Sequence, residues 1–429
     1  MKKREFLKAA GALASVTLLP SSVWAIAKNG KIRTAHIGVG GMGGGDLKMI
    51  ASHDMVEVTA LCDVDSVNLA AAQKLHPNAK TYADYRRLFD EVGKSIDAVI
   101  VSTPDHTHAP ASMMAMEMGK AVYCQKPLTH HVSEARAVKK LAEEKNLVTQ
   151  MGIQMHSSDP YLRSVVLIQQ GLIGKVSCVR AWSPKNWGHD GAAPSGSDPV
   201  PANLDWNLWL GTAPERPYKK DYYHPGNWRK ILDYGCGTLG DMGVHIFDTP
   251  YTALGLTVPK TVNTSCREFT GFGHPENNVV TYEFPGTPYT TDDFKWVWYD
   301  GPGAPPQHED LILPNNDKLP NQGAVFVGEK GTLVLPHTDY PKLIVNGKYE
   351  RIKMPDMDLV NHYHQFIDAC LDKGKASAPF SYAANLTEAI LLGVVANRFP
   401  NQTLHWDGEK AKFKEKEPNK YLKSKYRKF

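Results

Sequence analysis

The chain has 429 residues, 42% of them hydrophobic and 22% charged, as in soluble globular proteins, and this length predicts two domains. The formal net charge is +4, but residues 409–429 hold nine basic and three acidic side chains, so the rest of the chain has a net charge of −2. This charge distribution argues against a positively charged surface that binds nucleic acid. It also predicts a solvated basic C-terminal tail over residues 409–429.

The N-terminal residues have the pattern of an export signal. Basic residues at positions 2–4 precede an apolar stretch that ends near Ala25, which predicts a signal peptide over residues 1–28. The order of residues 3–8 resembles a twin-arginine signal with Lys in place of the first Arg. Pro20 interrupts the apolar stretch before it reaches spanning length. We therefore expect a periplasmic protein without stable membrane insertion after cleavage; a retained membrane anchor and a cytoplasmic location are the alternatives.

A dinucleotide fingerprint follows. A short strand over residues 31–37 leads into Gly38-x-Gly40-x-x-Gly43, then a helix over 46–52, a strand over 56–61 and Asp63, twenty positions beyond Gly43. The glycines permit a tight turn and close approach of a pyrophosphate, which Gly41 and Met42 would also contact. Asp63 would accept hydrogen bonds from the adenosine ribose, so NAD is expected rather than NADP. A glycine turn without a ligand is the alternative.

Alternation of strands and helices continues beyond the fingerprint. Apolar runs at residues 98–101, 121–124 and 147–149 predict buried parallel strands, with helices at 108–118 and 133–145 between them. Together these elements predict a doubly wound α/β Rossmann domain over residues 31–152. Its ligand should lie beyond the carboxyl ends of the strands.

Two of those strand ends carry polar residues that the fold alone does not need. One contains Thr103, Pro104, Asp105 and His108, and the other contains Gln125 and Lys126. Here the chain resembles the Gfo/Idh/MocA family of NAD(P)-dependent oxidoreductases, which pairs a Thr-Pro-x-x-x-His turn with a Glu-Lys-Pro turn. The resemblance implies that all six residues contact the cofactor. Gln125 replaces the usual Glu and Asp105 the common Asn, but a Gln amide can still hydrogen-bond the nicotinamide ribose.

The second half, residues 153–408, carries a third matching element. Asp241 and His245 lie in a segment that resembles the family's Gly-x-x-x-Asp-x-x-x-His pattern and, if helical, share one face. The resemblance implies a large open, mostly antiparallel sheet here, often used for homo-oligomer contacts. Strands at residues 176–182, 279–284 and 331–335 and a closing helix at 382–398 fit this α+β domain. Further substrate contacts are expected from Tyr223, Trp228 and Arg229, although some aromatic residues of this half will belong to the core.

Other chemistries find no support in the sequence. The six cysteines form no C-x-x-C pair, and the paired histidines near positions 130 and 362 lack a third spaced ligand, so we expect neither a disulfide framework nor a metal site. No G-x-S-x-G elbow is present, which argues against an α/β-hydrolase triad.

These observations predict an NAD-dependent dehydrogenase that acts on a secondary hydroxyl of a sugar or glycoside, with C3 as one candidate position. Lys126 would stabilise the developing alkoxide, His245 would act as the base, and Asp241 would orient the imidazole or bind a hydroxyl. If the protein is exported, NAD should be tightly bound. The first alternative is an NAD-dependent glycoside hydrolase that uses transient oxidation and elimination. The second is a non-catalytic sugar-binding protein on the same scaffold.

Overall fold

The computed structural model describes residues 30–429, and the predicted signal peptide lies outside the described residues. The N-terminal domain contains a six-stranded parallel sheet with the strand order β3-β2-β1-β4-β5-β6. Its strands are β1 (Ile32–Ile37), β2 (Val56–Cys62), β3 (Lys80–Tyr82), β4 (Ala98–Val101), β5 (Ala121–Gln125) and β6 (Thr149–Gly152). This architecture confirms the predicted doubly wound Rossmann domain.

Five helices cover this sheet: α1 (Met42–Ala51), α2 (Ser66–Leu75), α3 (Tyr85–Val92), α4 (Asp105–Glu117) and α5 (Val132–Glu144). Every residue of β4 is at most 1% exposed, because helices pack on both faces of the sheet and select a continuous apolar run. Helix α4 begins three residues before the predicted helix. Pro104 is its N-cap residue and Asp105 lies in its first turn, where a carboxylate is favourable, so the polar residues of this motif are helical.

The second domain is built on a ten-stranded mixed sheet in the order β14-β13-β12-β11-β7-β10-β9-β8-β15-β16, in which only β7 and β10 pair in parallel. This sheet confirms the predicted large, mostly antiparallel architecture. The strands are β7 (Val176–Ser183), β8 (Thr261–Ser265), β9 (Asn278–Glu283), β10 (Thr290–Asp300), β11 (Gly323–Gly328), β12 (Gly331–Pro336), β13 (Lys342–Val345), β14 (Lys348–Glu350), β15 (Leu404–Asp407) and β16 (Lys412–Phe413).

The second half contributes five further helices, some of which pack against the Rossmann domain. They are α6 (Asp159–Gln169), α7 (Trp206–Leu210), α8 (Val244–Ala253), α9 (His362–Cys370) and α10 (Phe380–Ala396). Helix α10 packs against α5, and α9 packs against α1, where Phe366 and Ile367 join an apolar cluster with Ile50. The Rossmann domain is therefore completed by residues from late in the chain. Within residues 30–429, no helix is both long and apolar enough to cross a membrane.

The lysines of residues 409–429 are exposed to solvent, while aromatic and arginine side chains near the C-terminus contact the rest of the protein. The Tyr426 hydroxyl donates to Glu134 Oε1 at 2.6 Å, and Arg427 Nε donates to the carbonyl oxygen of Gly211 at 3.1 Å. The Arg86 guanidinium lies 3.9 Å from the centre of the Phe429 ring. Charge counting overlooked these contacts, which attach the tail to both domains.

Candidate active site

The glycine loop between β1 and α1 is shaped for close packing. Gly38 has a φ of +82°, and a Cβ there would lie 2.5 Å from the carbonyl oxygen of Ser102. A Cβ on Gly43 would overlap the carbonyl oxygen of Gly38, so this glycine lets α1 approach β1. Helix α1 begins at Met42 and has no acidic residue in its first turn. An N-terminus of this kind suits an anion, and the loop therefore fits the pyrophosphate of NAD.

Asp63 lies at the end of β2 and holds the glycine loop in place. Its Oδ2 accepts hydrogen bonds from the backbone N–H groups of Val39 at 2.9 Å and Gly40 at 3.2 Å, and its Oδ1 accepts from Asp65 N at 2.8 Å. Burial raises the pKa of Asp63, although these backbone bonds oppose the shift. The residue thus has a structural role besides the ribose contact that the sequence predicts.

A cavity of about 670 Å³ extends from the glycine loop to the second domain. This volume lies within the range of small-molecule sites. Most of the residues predicted to bind cofactor or substrate line it: Gly38, Gly40, Gly41, Met42, Asp63, Thr103, Pro104, Asp105, Gln125, Lys126, Trp228, Arg229, Asp241 and His245. The fold thus brings residues from the loop, three further strand ends and the second domain to one cavity.

Three predicted site residues lie outside this lining. Gly43 packs behind the loop, and the ring nitrogens of His108 lie 2.8 Å from the carbonyl oxygens of Thr103 and Pro127, so His108 ties two strand-end motifs together. Tyr223 is 1% exposed and stacks on Trp206 in an aromatic cluster. The predicted substrate contact of Tyr223 is therefore wrong, because its ring packs in the core instead of facing the cavity.

The presence of Gln rather than Glu at position 125 is explained by a buried carboxylate, Asp46, that was not predicted from the sequence. Gln125 Nε2 donates to both oxygens of Asp46 on α1, at 3.0 and 2.9 Å. Asp46 also accepts from the hydroxyls of Ser102 at 2.6 Å and Tyr363 at 3.2 Å. Burial raises the pKa of Asp46, and these hydrogen bonds oppose the shift. A Gln at this position supplies a neutral donor where a Glu would set a second carboxylate against Asp46.

Asp241 is the centre of the substrate end of the cavity. Its Oδ1 accepts from Lys126 Nζ at 2.9 Å and from Arg229 Nε at 3.2 Å, and its Oδ2 accepts from Trp187 Nε1 at 2.6 Å. Burial alone would raise the pKa of Asp241, but the Lys126 and Arg229 cations outweigh burial and hold it well below its usual range. Asp241 is thus a charged anchor for Lys126, a role not predicted from the sequence.

His245 lies at the start of α8 and borders the same cavity. No hydrogen bond joins it to Asp241 within the described chain, so the predicted orienting role of Asp241 is corrected: the carboxylate is occupied by cations and by Trp187. Asp241 lies in a π-helical turn, Leu239–Gly243, that precedes α8, rather than one α-helical turn before His245. Burial first, and then the charges of Lys126 and His337, hold the pKa of His245 well below its ordinary value.

Asp105 adds a titratable carboxyl to the cavity wall. It lies in the first turn of α4, is 4% exposed, and accepts a hydrogen bond from Cys236 N at 3.1 Å. Burial raises the pKa of Asp105 to about 7, against the opposing charges of Arg229 and Lys126. This carboxyl therefore ionises at a higher pH than an exposed aspartate.

Comparisons with known proteins agree with this arrangement. Residues 32–153 match the profile of an oxidoreductase family with an NAD-binding Rossmann fold, GFO_IDH_MocA, and residues 166–268 match that of its C-terminal alpha/beta domain. The chain is 39% identical over 137 residues to a glycosyl hydrolase family 109 protein from Stenotrophomonas maltophilia, covering 29% of each chain. It is 25% identical over 166 residues to a levoglucosan dehydrogenase from Pseudarthrobacter phenanthrenivorans, covering 39% of this chain and 34% of that protein.

The chain spans 29 to 44% of the length of the first curated relatives that it matches. The fold is shared over a much longer range. An aldose-aldose oxidoreductase from Caulobacter crescentus, complexed with glycerol, superposes with a TM-score of 0.61 at 16% identity, over 88% of this chain and 100% of that chain. Because both domain profiles match in order and together cover 225 of the 429 residues, the chain belongs to the Gfo/Idh/MocA oxidoreductase family and carries its NAD-binding Rossmann domain.

Proposed function

We propose that the protein is an NAD-dependent dehydrogenase that oxidises a secondary hydroxyl of a sugar or glycoside. The observation that carries this proposal is one cavity bordered by the glycine loop at one end and by Lys126, Asp241 and His245 at the other. Such a cavity suits a dinucleotide beside a small polyol. Similarity to a levoglucosan dehydrogenase supports a carbohydrate substrate.

Oxidation of a carbinol to a ketone removes a hydride from carbon and a proton from the hydroxyl. NAD, when bound, supplies the hydride acceptor. Lys126, which Asp241 holds through a 2.9 Å bond, brings positive charge to the oxygen where negative charge develops. His245 is the candidate to take the hydroxyl proton, because it borders the cavity and its lowered pKa leaves the imidazole neutral.

We also propose that residues 1–28 direct export by the twin-arginine route and that NAD binds before export. Because no established free NAD pool exists outside the cytoplasm, the bound cofactor must then be restored in place by a second substrate. Mature protein from the periplasmic fraction should begin near Ile26 and release NAD on denaturation. A full-length, NAD-free product would contradict this proposal.

The large sheet of the second domain is the surface that we propose for contact between copies in a homo-oligomer, because such sheets serve this purpose in the family. Sedimentation of the purified protein checks the mass. A monomeric mass at micromolar protein concentration would contradict the proposed homo-oligomer.

Glycoside hydrolysis is the second candidate, favoured by the 39% identity to a glycosyl hydrolase family 109 protein. In this reaction, transient oxidation acidifies a neighbouring C–H, the glycosidic bond is eliminated, and water and hydride return to the sugar. The net change is hydrolysis, without consumption of an oxidant.

One experiment separates these candidates. NAD-loaded protein is incubated with a panel of glycosides, with and without added NAD, and the products are analysed by mass. A keto-glycoside, lighter by two hydrogen atoms, supports the dehydrogenase, whereas free sugar formed without added NAD supports the hydrolase. An unchanged panel and no reduced-nicotinamide absorbance would leave only a non-catalytic sugar-binding protein.

A further inference from the structure

Positive charge exceeds negative charge around Asp241. Lys126 Nζ lies 2.9 Å and Arg229 Nε 3.2 Å from its Oδ1, and Lys185 Nζ lies 3.8 Å from its Oδ2. Across residues 30–429, none of these three cations has a second carboxylate within 4 Å. One negative charge therefore faces three positive charges, in a partly buried setting where water screens them less than at a free surface.

The neighbouring ionisable groups do not remove this surplus. Asp105 borders the same end of the cavity, and with Asp105 fully ionised three cations still face two carboxylates. His245 stays neutral because its pKa is held well below the ordinary value by burial and by Lys126. Asp63 lies at the other end, where both of its oxygens bind backbone N–H groups of the glycine loop and its flank. At least one positive charge is left over.

Hydrogen-bonding capacity at this end is also unbalanced. Both oxygens of Asp241 are already occupied, by Lys126 and Arg229 on one side and by Trp187 on the other. Lys185 Nζ, by contrast, lies beyond hydrogen-bond distance of Asp241, and its side chain is 49% exposed. Neutral sugar hydroxyls need both donors and acceptors, whereas a carboxylate only accepts. The substrate end of the cavity therefore suits a negatively charged ligand.

We infer that the substrate is a sugar acid whose carboxylate lies between Lys185 and Arg229 while a ring hydroxyl reaches Lys126 and His245. This inference rests on the proposed dehydrogenase function and names its substrate class. A carboxylate carries one negative charge, which matches the surplus that remains when Asp105 is ionised. A sugar 6-phosphate carries more charge than one carboxylate, and the test compares both ligands directly.

The test uses NAD-loaded protein and methyl glycosides of the gluco, galacto and manno series, each as the neutral sugar, the uronic acid and the 6-phosphate. Calorimetry measures binding, and the reduced-nicotinamide band and product analysis measure chemistry. We expect the uronic acid of at least one series to bind about tenfold more tightly than both counterparts, as one charge-assisted hydrogen bond provides. Lys185→Met should remove most of this preference, and Lys140→Met, which changes an exposed lysine on α5, should keep it.

Tighter or equal binding of the neutral or phosphorylated sugars in every series, no binding by any compound, or an unchanged preference in Lys185→Met would overturn the inference. If uronic acids bind as expected but neither reduction nor release of methanol follows, the proposed function fails and the ligand class stands. If neutral glycosides are oxidised while uronic acids do not bind, the ligand class fails and the proposed function stands.

Discussion

Lys126 Nζ and Asp241 Oδ1 lie 2.9 Å apart, although 115 positions separate the two residues in the chain. Lys126 also donates to the backbone oxygen of Asp241 at the same distance. Lys126, which directly follows β5, is thereby bound to the π-helical turn of the second domain. This pair couples the Rossmann domain to the substrate end of the cavity, and the proposed chemistry depends on it.

Asp241→Asn should weaken both stability and turnover. The substitution keeps the shape but leaves Lys126 and Arg229 without their carboxylate, so the free energy of unfolding should fall by about 2–4 kcal/mol at pH 7. Because the pKa of Asp241 is lowered in the folded protein, its stabilisation is present above its unfolded pKa and is lost as pH falls through the folded value. Urea unfolding of both proteins between pH 3 and pH 7 measures this. Equal stability throughout that range would contradict the role of the pair.

Gln125→Glu should destabilise the protein through Asp46. The change replaces the amide donor with a second carboxylate about 3 Å from the first, so we expect a loss of about 2–4 kcal/mol at pH 8. At pH 5 the loss should be smaller, because one proton shared by the two carboxyl groups relieves the repulsion. Urea unfolding at the two pH values measures both effects.

The matched control for that prediction is Asp46→Asn in the Gln125→Glu background. This second change removes one of the two facing carboxylates, so it should restore most of the lost stability at pH 8. A double variant as unstable as Gln125→Glu alone would show that repulsion from Asp46 is not the cause.

Asp105→Asn should alter the pH dependence of stability. The pKa of Asp105 is raised to about 7 when folded, so the folded state binds its proton more tightly than the unfolded state between about pH 4 and pH 7. As the pH rises from about 4 to about 7, the free energy of unfolding of the wild type should therefore fall by on the order of 2–4 kcal/mol relative to the variant, whose side chain at position 105 cannot ionise. Exposed Asp54→Asn is the control and should leave the pH curve unchanged. Parallel curves for wild type and Asp105→Asn would contradict the buried-acid account.

Local sequence signals predicted much of the fold. The glycine spacing, the apolar run of β4 and the polar residues at strand ends are short-range patterns, since each depends on the turn or strand in which it lies. The family resemblance, which rests on such short motifs, predicted that Lys126, Asp241 and His245 lie near one another.

The remaining contacts join residues far apart in the chain. Tyr363 reaches Asp46 across 317 positions, and no periodicity or spacing marks that pair. Lys185 and Trp187 lie in an irregular segment after β7 and carry no motif, so only the folded chain shows that they surround Asp241. Tyr223 was misplaced for a related reason: composition shows that an aromatic residue is present, but not whether its ring faces a cavity or the core.

The most direct test of the proposed role of Lys126 is single-turnover reduction of bound NAD by the glycoside that the panel identifies. Wild-type protein and Lys126→Met are loaded with NAD to the same occupancy, mixed with that glycoside, and followed by the absorbance of the reduced nicotinamide. Because Lys126 stabilises charge only as the hydroxyl is oxidised, we expect reduction to slow by at least about a hundredfold while NAD binding stays nearly intact. Reduction by Lys126→Met at the wild-type rate would contradict the account.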